Sequence, residues 1–380
     1  MYSIDSRTIQ NRDIFIPVSG ANFDGHQYIR DVLEKGAHQV IDMDLLKYAK
    51  YHRENKINAT VIGITGSAGK TTVKDALYKV LSSQYKVHKT QENQNNEIGV
   101  PLTLLNAPLD ADFIIIEMAM RARGEIELLA QTVQANYVII TSIGSSHIEF
   151  LKTKRNIALA KAEIFKFNKN TNQPHTCILN SQNPYASLIT AIAKKNGFDV
   201  NHINEPNILD SNIELITELV KIFDIDKSTV RKILSAHSPK SAHRQNYIKI
   251  GSNTFIDDSY NANPESMSFA IQKLAIAFPQ QKHGLILGEM KELGKQEKMK
   301  HQALINDVLK NTDIDFVIFY GAAYKKIEKK KQKCYYFLRE TDIIEQMNKL
   351  NLDNTVVLVK GSRSLHMETI ISSIKKQYAN

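Results

Sequence analysis

The sequence predicts an α/β protein of three domains: a small α/β leading domain, a central parallel-sheet domain built on a phosphate loop (P-loop), and a Rossmann-like carboxyl-terminal domain. Three observations carry this reading. The chain has 380 residues, 42% of them hydrophobic, which is too long for one ordinary core. From Ala59 onward, short apolar runs alternate with stretches whose apolar residues recur three and four apart. A glycine turn, GSAGKTT, stands between the first of those runs and the first of those stretches.

Residues 1–57 make the leading domain. IFIPVSG reads as a strand, Tyr28 to Gly36 as a short helix, and LLKYAKYHRENK as a second helix ending in a basic stretch. Residues 58–238 make the central domain. ATVIGIT, DFIIIE, NYVIITSI and HTCILN read as strands, and VKDALYKVL, GEIELLAQTV and RNIALAKAEIFKF as helices, so the sheet is parallel with helices on its faces. The polar stretch SAHSPKSAHRQ is a linker. Residues 239–380 make the last domain, opening with a hairpin around Gly251-Ser252-Asn253 in YIKIGSNTFIDDS. There LILGE, DFVIFY, CYYFL and TVVLVKG alternate with helical stretches.

Composition narrows the class. Glycine (16) and proline (9) are scarce, which excludes collagen-like and broadly disordered chains. The formal charge of +9 fits nucleic acid, an anionic membrane or a phosphate-rich small molecule equally well. Its densest run, Lys325 to Lys333, reads as a solvated helix face, and no stripe of basic and aromatic residues accompanies it, so nucleic acid is not an expected partner. The two cysteines, Cys177 and Cys334, lack metal spacing and read as reduced thiols. The polar amino terminus lacks an apolar signal core, and no stretch approaches the roughly 20 apolar residues of a membrane span. A soluble, cytoplasmic monomer without membrane insertion is expected.

Thr65 to Thr72 reads TGSAGKTT. Gly66 and Gly69 let backbone amides turn toward an anion, and the following helix adds its positive end. In such a loop Lys70 reaches the β- and γ-phosphates and Thr71 places a hydroxyl on Mg²⁺, with Ser67, Ala68 and Thr72 completing the cradle. The strict pattern wants glycine at position 64, where this chain has Ile64. The strand before the loop and the amphipathic helix after it still favour nucleotide binding over an ordinary turn of small residues.

The TG-two-residues-GKT loop resembles that of the Mur ligases and their folylpolyglutamate synthetase relatives. Further segments extend the resemblance to the Mur ligases, in order, along nearly the whole chain: TQENQNNEIGVPLTLL, IIIEMAMRARGEI (with Ala119 where glycine is usual), TSIGSSHIEF, ALAKAEIF, DDSYNANPESM, LGEMKELG and KGSRSLHME. The resemblance implies an ATPase central domain and a ligase reaction. ATP phosphorylates the terminal carboxylate of a UDP-linked peptide, an amine attacks the acyl phosphate, and phosphate leaves. The YNANP and KGSR blocks resemble the branch that adds D-alanyl-D-alanine to UDP-MurNAc-tripeptide. The branch adding the third amino acid carries a DNPR-type block that this chain lacks.

The same resemblance implies roles for single residues. Glu117, closing a strand, binds Mg²⁺ with Thr71, although a lone glutamate there is more often a solvated end residue. His147 looks like a ligand of a second Mg²⁺, although imidazole suits that ion less well than oxygen. Lys161 matches the lysine carbamylated in Mur ligases. A protonated amine beside two cations would be repelled, whereas a neutral amine captures CO₂ to become an anionic ligand. Asp257, Asn261, Asn263 and Arg244 resemble nucleotide contacts, and Lys360, Ser362 and Arg363 lie in the KGSR block. Asp5, Ser6 and Arg7, with Asp24, Gly25 and His26, match UDP-sugar segments in a leading domain expected to be trimmed. The alternatives are a ligase adding the third amino acid and a non-catalytic ATP-binding switch. The switch leaves the joint presence of Glu117, His147 and Lys161 unexplained.

Overall fold

The computed structural model describes residues 1–167, 174–235, 246–311, 313–325, 333–350 and 352–378. The linker 236–245, which carries Arg244, and most of the lysine-rich run lie outside the described residues. The chain divides into two compact units, Met1–Ile143 with Ala158–Ala236 and Gly144–Ile157 with His237–Asn380.

The first unit begins with β1 (Tyr2–Ser3), β2 (Ile14–Phe15), β3 (Ser19–Gly20), β4 (Phe23–Asp24), α1 (Ile29–Glu34), β5 (Gln39–Val40) and α2 (Leu45–Asn55). Strands β1, β2 and β5 form a small parallel sheet, and β3 and β4 a hairpin. The run IFIPVSG reads as one strand but is two. Pro17 has no N–H to give to a ladder, so pairing stops ahead of it and resumes as β3. The Asp44 side chain caps α2 by accepting from the Lys47 amide at 2.9 Å. Leu45 and Ala49 of that helix pack with Ile16 and with Leu105 of the domain that follows. Arg53 donates to the carbonyls of Val133 and Gln134, which fastens α2 to the same neighbour, and to the Ile57 carbonyl just beyond its own helix.

The unit continues with β6 (Thr60–Thr65), α3 (Lys70–Leu81), β7 (Val87–Lys89), α4 (Gly99–Leu105), β8 (Phe113–Glu117), α5 (Glu125–Val133) and β9 (Tyr137–Ile140). After α6 (Ile148–Leu151) and α7 (Lys154–Lys161) come β10 (Thr176–Asn180), α8 (Ala186–Lys195), β11 (Asp199–Ile203), α9 (Ile208–Val220) and α10 (Lys227–Ser235). All six strands run parallel in the order β11-β10-β9-β6-β8-β7. Every residue of β8 is buried, as expected of a strand covered by helices on both faces. One core joins Ile62 and Ile64 of β6 with Val73, Leu77 and Val80 of α3 and Leu215 and Leu219 of α9. Chain order reverses around β6, so the carboxyl ends of β6, β8 and β9 open onto a switch point, where such sheets bind ligands. The stretch RNIALAKAEIFKF is helical only to Lys161 and then tightens into a 3₁₀ turn, Ala162–Phe165, whose four side chains are all buried. Cys177 is buried in β10 and both cysteines are free.

The second unit contains β12 (Asn246–Ile250), β13 (Asn253–Asp257), α11 (Pro264–Ala277), β14 (Lys282–Gly288), α12 (Glu297–Lys310), β15 (Phe316–Tyr320), β16 (Cys334–Phe337), α13 (Glu340–Lys349), β17 (Thr355–Lys360) and α14 (Glu368–Tyr378). Its sheet order is β12-β13-β17-β14-β15-β16, parallel apart from the β12–β13 hairpin. Asn263 caps α11 through a reciprocal box with Ser266, and Pro264 follows it where a missing N–H costs nothing.

Candidate active site

The phosphate loop follows from strand, turn and helix chemistry. Ile64, where the strict pattern has glycine, lies within β6, pairs in register with Glu117 and is fully buried in the core. The turn is made instead by Gly66, at φ +153°, and Gly69, at φ +86°. A Cβ on Gly66 would lie 1.9 Å from Thr141 Oγ1. Thr141 Oγ1 itself donates to the Ala68 carbonyl at 2.6 Å, and Ser142 Oγ accepts from the Ala68 amide at 3.0 Å. The end of β9 therefore moulds the loop. The Lys70 amine donates to the Gly66 carbonyl at 2.8 Å.

Around this loop the structure brings two of the expected residues, Thr71 and Glu117, together. Thr71 Oγ1 donates to Glu117 Oε2 at 2.7 Å, and Asn95 Nδ2 donates to Glu117 Oε1 at 2.8 Å. Glu117 is fully buried. Lys74, one turn beyond Lys70, is also buried, lies 3.9 Å from Glu117 Oε2 and donates to the Glu92 carbonyl at 3.0 Å. One carboxylate and one hydroxyl beside a phosphate loop suit Mg²⁺, an ion that takes one or two protein carboxylates and completes its shell with phosphates and water. No group of three or more His, Cys, Asp or Glu side chains forms a metal cage among the described residues.

Lys161 ends α7 and is 1% exposed. Burial, reinforced by the charge of nearby Lys70, pushes its amine well below the ordinary lysine range. A neutral amine is the form that captures CO₂, so the site suits a carbamate. Glu163, two residues on, instead accepts from the Gly124 amide at 2.9 Å.

His147 belongs to the compact unit of the last domain. It sits in left-handed backbone at φ 63°, with Nδ1 2.7 Å from Glu292 Oε2 but misaligned as a hydrogen bond. Glu292 is itself left-handed, at φ 61°. The loop carrying His147 is held from α11. Glu265 Oε1 accepts from the Ser145 amide at 3.0 Å, its hydroxyl at 2.9 Å and Lys154 at 3.2 Å, while Asn263 Nδ2 donates to Ser146 Oγ at 2.7 Å.

Elsewhere in that unit, Asp257 Oδ1 accepts from the Ser259 amide and hydroxyl at 3.1 and 2.5 Å. The buried Lys360 amine pairs with Asp258 at 2.7 Å and donates to the Asn261 carbonyl at 2.9 Å. Ser362 Oγ accepts from the Lys291 amide at 2.8 Å, and Arg363 pairs with Glu368 at 2.7 Å.

In the leading domain, Arg7 forks onto Asp5 at 2.9 and 2.7 Å, and that hydrogen bonding holds the Asp5 carboxyl at about 2. The His26 ring lies between Asp24 at 2.6 Å and Asp42 at 3.0 Å, and these partners raise its pKa. The Ser6 carbonyl accepts from Lys35 at 2.8 Å, and Gly25 is buried in a 3₁₀ turn that Asp24 caps.

Reading residues one at a time passes over Lys74, Asn95, Glu265 and Glu292. The signal for Lys74 was available, since it stands four residues after Lys70 and shares its helix face. Glu265 shows its role only once α11 and the 144–157 segment are packed together.

The chain is similar in sequence and fold to known proteins. The middle-domain model of the Mur ligases matches residues 64–233, and their glutamate ligase domain model matches residues 243–363. The UDP-N-acetylmuramoyl-tripeptide–D-alanyl-D-alanine ligase of Bacillus subtilis is 29% identical, over 97% of this chain and 92% of the relative. The ligase of the same name from Rickettsia prowazekii is 30% identical over 97% and 93%. In fold, the chain is similar to the crystal structure of MurF from Acinetobacter baumannii, with TM-score 0.87 and 23% identity over 99% of this chain and 93% of that one. MurF from Thermotoga maritima in complex with ADP gives TM-score 0.81 and 23% identity over 100% and 97%.

Proposed function

Because the chain belongs to the Mur ligase family, we propose that it is the ATP-dependent ligase joining D-alanyl-D-alanine to UDP-MurNAc-tripeptide in peptidoglycan precursor synthesis. The observation that carries this reading is the fastening of Thr71 to Glu117 at the mouth of a phosphate loop, in a chain aligned nearly end to end with ligases of that name.

The amides of Gly66 to Thr72 and the amino end of α3 bind the ATP phosphates, and Lys70 exchanges the Gly66 carbonyl for phosphate oxygen. Thr71 and Glu117 would hold one Mg²⁺, and a second would draw on His147 and on a carbamate at Lys161. Such ions would supply positive charge to the phosphate oxygens. The tripeptide carboxylate attacks the γ-phosphoryl group, ADP leaves, and an acyl phosphate remains. The free amine of D-alanyl-D-alanine then attacks the acyl carbon, expels phosphate and loses one proton, leaving the amide. A carboxylate is a poor electrophile, and the phosphoryl group supplies the leaving group that amide formation needs.

Asp257, Asn261, Asn263 and Arg244 serve the nucleotide. Ser6, Arg7, Asp24, Gly25 and His26 serve the UDP-sugar, and Lys360, Ser362 and Arg363 the peptide end. The enzyme works as a cytoplasmic monomer. No helix among the described residues is long and apolar enough to cross a membrane.

The test is ATP-dependent phosphate release with each substrate omitted in turn. Release that needs both UDP-MurNAc-tripeptide and D-alanyl-D-alanine supports the reading. Release with a single amino acid on UDP-MurNAc-dipeptide contradicts it.

A further inference from the structure

Lys74 is a buried cation that the ligase chemistry leaves unused. Its amine lies 3.9 Å from Glu117 Oε2 and 3.8 Å from Asp75 Oδ1, and the side chain is 1% exposed. Asp75 in turn pairs with Lys89, whose amine sits 4.8 Å from the centre of the Tyr78 ring. Two lysines and two carboxylates thus form a chain of alternating charge, Lys89–Asp75–Lys74–Glu117, whose sum is zero. Buried ions persist when they are compensated in this way. The consequence falls on Glu117. Its negative charge is already met from within the protein, and Lys70 stands on the same helix one turn away.

From this arrangement we infer that Lys74 is a positioning residue that sets the order of binding at the loop. It orients Glu117 while cancelling the charge that would draw in a free divalent cation. The metal then binds well only in company with nucleotide phosphates, whose negative charge outweighs that of Lys74 and Lys70. The inference rests on the proposed nucleotide site and adds a control device to it. Lys74 also holds the 91–95 loop through the Glu92 carbonyl, so that Asn95 reaches the other oxygen of Glu117. Carboxylate orientation and charge compensation therefore come from one side chain.

The test is Mn²⁺ binding to the full chain, read from the electron paramagnetic resonance signal of free Mn²⁺, with and without ADP. Wild-type protein should bind Mn²⁺ weakly alone and more tightly with ADP. Lys74→Met keeps length and apolar volume but removes the charge, and it should bind Mn²⁺ alone about tenfold more tightly, with the gain from ADP shrinking to match. Lys74→Arg should behave as wild type. Asp75→Asn should shift affinity the opposite way, because it leaves Lys74 less compensated. A merely structural role would move the Met and Asn variants together. Lys74→Met affinity without ADP that equals or falls below wild type overturns the inference and leaves the nucleotide site standing. If that variant does not fold, an unchanged Asp75→Asn overturns it instead. No Mn²⁺ binding by wild type even with ADP overturns both the inference and the site.

Discussion

The Thr71 hydroxyl donates to Glu117 Oε2 across 2.7 Å, tying the first turn of α3 to the carboxyl end of β8. The two residues come from neighbouring strand–helix units, and Glu117 is in register with Ile64, two residues before the turn. A hydrogen bond to a charged group contributes about 1.5–3 kcal/mol, so a small change in the loop's course has a large effect on this contact.

Gly66 fixes that course. In Gly66→Ala the new Cβ meets Thr141 Oγ1 at 1.9 Å, and this hydroxyl is itself held by the Ala68 carbonyl. Loss of stability should be about 3 kcal/mol, with nucleotide binding lost. Gly69→Ala first meets the end of the Asn212 side chain, at 3.0 Å, and should cost about 1–2 kcal/mol, mostly from its left-handed backbone. Denaturant titration of both variants checks the ranking, and equal losses would contradict it.

Stability should also depend on His301. Its Nε2 accepts from the Met290 amide at 2.9 Å, and burial pushes its pKa down. The unfolded chain takes up this proton first, so stability is fully present above about 6.5 and is lost as pH falls toward the folded value. Melting temperature should fall more from pH 7.5 to pH 5.5 in wild type than in His301→Gln. Equal falls would assign the acid sensitivity to other groups.

Much of this was legible in the sequence, for physical reasons. The strand over 59–65 and the helix beyond Lys70 appear because a buried run, a glycine turn and a 3.6-residue period are local signals. The cap that Asn263 gives α11 was not read from the sequence, where that residue stood only as a nucleotide contact. The 3₁₀ turn at Ala162–Phe165 was not legible, since its apolar pattern continues that of α7 and only packing tightens it. Nor was the packing of Gly144–Ile157 with the last unit, which depends on Glu265 more than a hundred residues away. In the site, Lys70, Thr71 and Glu117 could be named from motifs. Asn95 came to light only when the strands were set side by side, and the burial of Lys74 against Glu117 likewise needed the packed sheet, although its place on the Lys70 helix face was readable.

Lys161 should carry a carbamate. Burial and the charge of Lys70 favour its neutral amine, the form that reacts with CO₂. Lys161→Ala should reduce ligation about a hundredfold or more while nucleotide binding at the loop survives, and acetate should restore part of the activity. Carbon-13 NMR with labelled bicarbonate checks the modification directly. A plain amine in active, metal-loaded enzyme would contradict it.

The most direct test of the account is mass spectrometry of the product formed from ATP, Mg²⁺, UDP-MurNAc-tripeptide and D-alanyl-D-alanine. The account predicts UDP-MurNAc-pentapeptide, with one ADP and one phosphate for each amide, and none from folded Lys70→Ala protein. Absence of the pentapeptide with the wild-type chain, or its undiminished formation by Lys70→Ala, would contradict it.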